Sequence, residues 1–260
     1  MSTAFTPGVG VVFSADIAAP EHERVVRFYS RVLCTGEEPL WREDLMNNRG
    51  MPIIGLGARG AEHADLPLQW MAHIQVADVA TSVERALDLG GRELMHGRDD
   101  AGNSQWAVLL DRDRAAFGII PVVPAEAMPA IDGAAEAVGR IAWLELTVSD
   151  PAAARDFYRQ VIGWAPEGIE MEHRGAHYTD YHLLGENEIP AAAIRHARGA
   201  NAGLPPVWMI HLPVRDLAES LRRVAAEGGK VIQTRQREDG QLESAAIQDP
   251  IGASLVLRAG

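Results

Sequence analysis

The sequence repeats itself at a constant spacing of 138 residues. The segment that begins at Leu66, LPLQWMAHIQVADVATSVERALDLGG, matches the segment that begins at Leu204, LPPVWMIHLPVRDLAESLRRVAAEGG. The match continues without a gap to Asp111 and Asp249. Self-similarity of this length in one register indicates a duplicated structural unit, so we expect two related halves.

A weaker repeat, with a spacing of 129 residues, extends the duplication to the start of each half. VVFSADIAAPEHERVVRFYSRVL, from Val11, aligns with RIAWLELTVSDPAAARDFYRQVI, from Arg140, through a shared Phe-Tyr pair and the following valine. The stretch between the halves is rich in Ala, Pro and Gly, which is typical of a linker. We therefore predict a first domain at residues 8–122, a linker at 123–139 and a second domain at 140–260.

Each half reads as two similar units, in which a strand is followed by a helix and then by further short strands. Residues 141–148 are β-like, and Asp150 with Pro151 forms a typical helix start, because Asp suits the N-cap and Pro the first helical position. Residues 207–214 form another predicted strand, which is followed by an N-cap at Asp216. The glycine pair at 228–229 ends that second helix.

Composition excludes several classes of protein. The formal charge of −12 argues against a nucleic-acid or anionic-membrane surface, because both partners require clustered cations. No apolar run is long enough for a transmembrane helix, and the first twenty residues lack the features of a signal peptide. The one cysteine, Cys34, cannot form an internal disulfide and follows an apolar helix face, so we expect it in the core. These features predict a cytoplasmic protein.

Alternation along the opening strands predicts which side chains share a face. In residues 141–148 the even positions are all apolar and are expected to pack on the helix, which leaves Glu145 on the other face. The same analysis leaves Asp16, His73 and His211 on the corresponding faces of the other three opening strands. Each opening strand therefore contributes one ionisable group at an equivalent depth.

The segments WLELTVSDPAAARDFYRQVIGW and IQDPIGASLVL resemble sequence motifs of the vicinal-oxygen-chelate superfamily. The predicted order of strands and helices around them also resembles that of this superfamily. This superfamily contains glyoxalases, bleomycin-resistance proteins and extradiol dioxygenases. The more specific resemblance is to two-domain, actinobacterial-type glyoxalase-like proteins that are often called hydroxylase-like. It covers nearly the whole chain and is weakest in residues 10–60, where Cys34 stands at the usual glycine and Pro20-Glu21 replaces Ser-Asp.

The resemblance implies an α+β fold of four βαβββ units in tandem, paired into two eight-stranded cups. It also implies that Asp16 lies across one cup from His73, and Glu145 across the other from His211. Sheet edges in this family often pair between chains, so the resemblance allows a homodimer.

Metal-dependent members of the family hold a divalent ion with two His and one Glu. The resemblance places these positions at Trp143, Met209 and Val256 in the second half, and at Ser14, Met71 and Gly118 in the first half. These side chains do not suit a hard divalent cation, so we expect no metal and no cofactor. A displaced site would have only Glu145 and His211 as ligands, which is too few for a closed site.

The sequence therefore predicts a metal-independent protein that binds a small organic molecule in its cups. The residues expected to contact that molecule are Trp143, Met209, Val256, Arg258, Ser14, Asp16, Met71 and His73. Three alternatives stay open at this point. The first is a lyase or isomerase, the second is a metal-dependent glyoxalase or dioxygenase with displaced ligands, and the third is an assembly protein with filled cups.

The lyase or isomerase alternative depends on Glu145 and His211 acting as an acid–base pair. A carboxylate within hydrogen-bond reach of an imidazole raises the basicity of the ring, which can then move a proton next to a carbonyl. The structural alternative is that Glu145 is neutralised by Arg258 in a filled cup. The distance between the pair and the presence of an open cavity distinguish these interpretations.

Overall fold

The computed structural model describes residues 7–127 and 138–260. Both halves are α+β, as the sequence predicts, and each contains one curved sheet with two helices on its convex side. Residues 128–137, which form most of the predicted linker at 123–139, lie outside the described residues. Within the described part of the chain, no helix is long and apolar enough to cross a membrane.

The first half contains six strands and two helices. In chain order they are β1 (Val12–Ala19), α1 (His22–Leu33), β2 (Ile54–Ala58), β3 (Met71–Val76), α2 (Val79–Asp88), β4 (Arg92–Arg98), β5 (Ser104–Leu110) and β6 (Ala116–Pro121).

The second half contains eight strands and two helices. They are β7 (Trp143–Val148), α3 (Pro151–Val161), β8 (Ala165–His173), β9 (Ala176–Leu184), β10 (Pro190–His196), β11 (Trp208–Val214), α4 (Leu217–Ala226), β12 (Lys230–Gln236), β13 (Leu242–Gln248) and β14 (Ser254–Ala259).

The two sheets have the same strand order except at one edge. The first is ordered β2-β1-β3-β6-β5-β4, and the second is ordered β8-β9-β10-β7-β11-β14-β13-β12. Six strands correspond one to one, and the hairpin β8–β9 has no counterpart in the first half. The prediction of two cups is confirmed, but the first has six strands where eight were expected.

The missing hairpin has a physical explanation in the segment between α1 and β2. Residues 34–53 run onto the second half instead of pairing with β2. The indole nitrogen of Trp41 donates to the carbonyl of Pro213 at 2.8 Å, and the side-chain amide of Asn47 donates to the carbonyl of Gly139 at 3.0 Å. Trp41 and Asn47 are fully buried there, so this segment forms interface and not sheet.

The helix starts follow the predicted capping pattern. The side chains of Asp150 and Asp216 accept hydrogen bonds from backbone N–H groups in the first turns of α3 and α4, and Asp78 does the same for α2. Helix α1 starts after Glu21 without a side-chain cap, at the place where the first half departs from the family pattern. The apolar faces of the strands pack against these helices, with Leu144 and Leu146 fully buried.

A duplicated hydrogen-bond network joins the halves. Helix α1 packs against α4, and α2 packs against α3. The hydroxyl of Tyr29 donates to the carboxylate of Asp249 in the other half at 3.0 Å, and accepts from the indole of Trp70 at 3.0 Å. The same arrangement recurs with the halves exchanged, through Tyr158, Asp111 and Trp208 at 2.8 and 2.7 Å. Each half thus completes the buried polar core of the other.

Candidate ligand site in the first cup

Strand pairing places the predicted site residues on the concave face of each sheet. In the first half Ser14 lies opposite His73, and Asp16 lies opposite Met71. We call the space in front of this face the first cup. It contains a cavity of about 720 Å³, which is within the range that small-molecule sites occupy.

In the second half Trp143 lies opposite His211, and Glu145 lies opposite Met209. The space in front of this face is the second cup. The two faces use the same strand positions, so the cups are equivalent places in the duplicated fold.

Most of the first cup is lined by apolar side chains. They come from all six strands and from the segments that follow β2 and β6, and they include Leu66, Met71, Met95, Trp106, Val108, Ile119 and Val123. The polar side chains among the lining residues are those of Asp16, His63, His73 and Gln105. An apolar wall with a few polar groups is the usual composition of a small-molecule site.

Two polar residues that line this cavity, Asp16 and His73, form a group with Ser14, which is not itself among the lining residues. Nδ1 of His73 and Oγ of Ser14 are hydrogen-bonded at 2.9 Å, and Nε2 of His73 lies 3.6 Å from Oδ2 of Asp16. Burial lowers the pKa of His73, although the neighbouring Asp16 carboxylate opposes this shift. The imidazole is therefore neutral at pH 7 and can accept or donate one proton.

Two glycines leave room for this group. Gly55 on β2 pairs with Asp16, and a Cβ atom at Gly55 would lie 2.2 Å from Oδ1 of Asp16. Gly118 on β6 pairs with His73, and a Cβ atom there would lie 2.6 Å from Cδ2 of the imidazole ring. The positions of both polar side chains therefore depend on glycine in the neighbouring strand.

The second cup is filled. The corresponding space measures about 10 Å³, which is about the room that one water molecule needs. Glu145 is 4% exposed and lies 3.4 Å from Arg195 and 3.3 Å from Arg235. Arg195 and Arg235 therefore neutralise Glu145, in place of Arg258, the partner in the structural alternative suggested by the sequence.

His211 is enclosed beside this ion-pair cluster. Its Nε2 atom is buried without a hydrogen-bond partner among the described residues, and no recorded hydrogen bond joins it to Glu145. Burial, together with the charges of Arg258, Arg235 and Arg195, lowers the pKa of His211 to about 3. The second cup thus offers no open cavity beside the predicted Glu145–His211 pair.

The two halves match known protein families in sequence. Residues 140–257 match the Glyoxalase/Bleomycin resistance protein/Dioxygenase superfamily, and residues 11–120 match the glyoxalase-like domain. Both halves of the chain belong to the vicinal-oxygen-chelate superfamily.

Curated relatives within this superfamily are distant. The anthracycline biosynthesis protein DauV of Streptomyces sp. (strain C5) is 26% identical over 199 residues, which cover 75% of this chain and 66% of that protein. The putative glyoxylase CFP32 of Mycobacterium tuberculosis is 30% identical over 115 residues, which cover 44% of this chain and 43% of the relative. The chain therefore spans about two thirds of DauV and less than half of CFP32.

Solved structures of vicinal-oxygen-chelate proteins share the fold. A 2,2',3-trihydroxybiphenyl 1,2-dioxygenase from Sphingomonas wittichii has a TM-score of 0.53 at 14% identity, and the match covers 98% of this chain and 90% of that one. A mutant homoprotocatechuate 2,3-dioxygenase from Brevibacterium fuscum has a TM-score of 0.55 at 12% identity, with coverage of 100% and 74%. At these identities the likeness shows the fold alone.

The residues of this chain do not fit the metal of the vicinal-oxygen-chelate superfamily. The ligand positions inferred from the resemblance carry apolar side chains or glycine, except Ser14, whose hydroxyl is hydrogen-bonded to His73. In residues 7–127 and 138–260 no three His, Cys, Asp or Glu side chains come together as a metal-binding group. Glu145, the expected ligand of a displaced site, already contacts two guanidinium groups.

Several residues of the first cup are not apparent from shared sequence features. A sequence repeat is recognised from identical residues, whereas the positions that distinguish the two cups are those at which the halves differ. At the spacing of 138 residues, Gly57 corresponds to Arg195, Gly97 to Arg235, Met95 to Gln233 and Trp106 to Ser244. Glycine or apolar residues in the first cup thus stand where arginine or polar residues fill the second.

Proposed function

We propose that the first cup binds a small, flat and largely apolar organic molecule without a metal ion. The observation that carries this proposal is the open cavity of about 720 Å³ at the place where the duplicated partner cup is filled. The apolar walls favour a hydrophobic ring system, because aromatic and thioether side chains contact such rings well. Asp16 and His73, which line the cavity, supply the directional polar contacts, and Ser14 is hydrogen-bonded to His73.

The relatives support this proposal in one respect. The name of DauV associates that protein with anthracycline biosynthesis, and anthracyclines are organic small molecules. The side chains at the ligand positions inferred from the resemblance support metal independence, because Met71 and Gly118 stand there in place of residues that can hold a divalent ion.

The test is isothermal titration calorimetry with naphthalenemethanol, a neutral flat probe. We expect one binding site per chain. Trp106→Ala should weaken binding by about tenfold, because it removes an aromatic wall. Ser244→Ala is the matched control, since Ser244 holds the same position in the second cup, and it should leave the affinity unchanged. Absence of binding, or weakening by Ser244→Ala and not by Trp106→Ala, would contradict the proposal.

A second candidate function is proton transfer by His73, an isomerase or lyase step. The observation that favours it is that His73 faces the open cavity with Asp16 3.6 Å from its Nε2 atom and Ser14 on its Nδ1 atom. A neutral imidazole can remove a proton from a carbon next to a carbonyl and return it elsewhere. Glu145 and His211 would need the second cup to open before they could perform the same step.

This second function is tested by incubating the protein with tetralone in deuterium oxide and following loss of the proton next to the carbonyl by NMR. We expect His73→Gln to abolish the exchange and His211→Gln to leave it unchanged. Exchange at the same rate in wild type and His73→Gln would eliminate His73 as the base and leave the binding function intact.

A further inference from the structure

The charge of the first cup is unlike that of the second. Among the described residues that line the first cup, Asp16 is the one Asp, Glu, Lys or Arg side chain. The second cup has three arginines around His211, at positions 195, 235 and 258. Their counterparts in the first half are Gly57, Gly97 and Ile120, which carry no charge.

The Asp16 carboxylate is accessible and has no Lys or Arg partner among the described residues. Its side chain is 55% exposed and lines the cavity. Within the described ranges no Lys or Arg nitrogen lies within 4.0 Å of this carboxylate, and its recorded contact is Nε2 of His73 at 3.6 Å. Gly55 leaves the space in which Oδ1 of Asp16 lies.

The other titratable groups of the cavity do not neutralise Asp16. Burial lowers the pKa of His73, which keeps this imidazole uncharged at pH 7. Nδ1 of His63 accepts a hydrogen bond from the backbone N–H of Gly60 at 3.2 Å, and the His63 ring nitrogens do not lie within 4.0 Å of the Asp16 carboxylate. His63 also lies 3.5 Å from Glu62, a second acidic group next to the cavity.

We propose that the first cup selects aromatic amines, with a protonated nitrogen placed against Asp16 and the ring system against the apolar walls. This inference rests on the proposed binding function of the first cup. An ammonium group next to Asp16 forms a charge-assisted hydrogen bond, whereas a carboxylate or phosphate is repelled in a partly desolvated cavity. The formal charge of −12 on the chain also favours the binding of cationic over anionic ligands.

The experiment compares three probes with the same ring system by calorimetry on the full chain. They are naphthylmethylamine, naphthalenemethanol and naphthoate, which are cationic, neutral and anionic at pH 7. We expect the amine to bind about tenfold more tightly than the alcohol, and naphthoate about tenfold more weakly, since charged hydrogen bonds contribute in this range. The amine preference should decrease at high salt.

Two variants locate the preference at Asp16. Asp16→Asn keeps the shape of the side chain at an exposed position, and should bring the affinities for amine and alcohol to within about twofold. Gly55→Ala keeps the charge but displaces Oδ1 of Asp16, and should remove part of the preference. Asp44→Asn is the control, because it removes a carboxylate that contacts Arg42 and does not line the cavity.

The outcomes separate this inference from the binding function on which it rests. If none of the three probes binds, the proposed function itself is wrong. If the alcohol binds and the amine binds no better, or if naphthoate binds best, the binding function stands and the amine preference is wrong. Retention of the amine preference by Asp16→Asn would also overturn the role of Asp16.

Discussion

The two cups occupy equivalent places in a duplicated fold, yet one is open and the other is filled. The first contains a cavity of about 720 Å³, and the second contains about 10 Å³. Two substitutions account for much of the difference, because Arg195 and Arg235 reach Glu145 from positions that are Gly57 and Gly97 in the first half. The two cups share one backbone fold, and a few side chains determine whether the cup contains an open cavity or is filled.

The edge of the sheet contributes a second difference. The hairpin β8–β9 flanks β10 in the second cup, and the first cup ends at β2. His182 of this hairpin contacts Arg195 at 3.3 Å and packs its ring against Trp143. The hairpin therefore supports the filled state of the second cup, and its absence leaves the first cup open on one side.

The largest effect is expected from removing a cation of the second cup. Arg195→Ala leaves Glu145 with one guanidinium partner at a site that is 4% exposed, and breaking a buried ion pair costs about 3–5 kcal/mol of unfolding free energy. Urea unfolding measures this cost. The matched change in the first cup, Gly57→Ala, should alter stability by less than about 0.5 kcal/mol, because a Cβ atom there makes an ordinary contact with the carbonyl oxygen of Ile17 at 3.9 Å.

A rescue variant shows whether the cost comes from the buried charge. Glu145→Gln in the Arg195→Ala background removes the unpaired carboxylate, so it should recover a large part of the lost stability. No recovery would mean that the cost comes from other contacts of Arg195, which include the buried carboxylate of Asp180 at 3.7 Å, and not from the charge of Glu145.

The next largest effect is expected from making the first cup resemble the second. Gly57→Arg introduces the counterpart of Arg195, whose guanidinium would fill the cavity next to Asp16. Binding of naphthalenemethanol should weaken by about 100-fold, since a ligand of this size needs most of its surface enclosed. Calorimetry measures the affinity, and an unchanged melting temperature verifies the fold. Binding within twofold of wild type would place the ligand outside the first cup.

Much of this fold can be predicted from sequence, and most of the contrast between the cups cannot. The repeat and the alternation of apolar residues predict the strands, the helices and the shared facing of Glu145 and His211, because these depend on local spacing. The path of residues 34–53 depends on long-range contacts such as Trp41 to Pro213, which leave no local pattern. Which cup is open depends on the reach of two arginine side chains across the sheet.

The interface between the halves offers a symmetric comparison. Tyr29→Phe and Tyr158→Phe each remove a buried hydroxyl that donates to an aspartate and accepts from an indole. Each change should cost about 1–3 kcal/mol, because Asp249 or Asp111 loses its partner. Thermal or urea unfolding should give similar costs for the two variants. A cost confined to one of the two variants would show that the two networks share their geometry but do not contribute equally to the free energy of unfolding.

The pH dependence of stability should come more from the second cup than from the first. The pKa of His211 is about 3 in the folded chain, against an ordinary value of 6.5, so between these values the unfolded chain holds a proton that the folded chain lacks. Stability should therefore fall as the pH decreases from about 6.5, with a slope of about 1.4 kcal/mol per pH unit from this group.

Urea unfolding at several pH values should show that His211→Gln removes this slope. His73→Gln should remove less of it, because Asp16 opposes the shift in the first cup and no carboxylate is recorded as raising the pKa of His211. An equal loss of slope in both variants would show that the arginines of the second cup do not set the charge of its histidine.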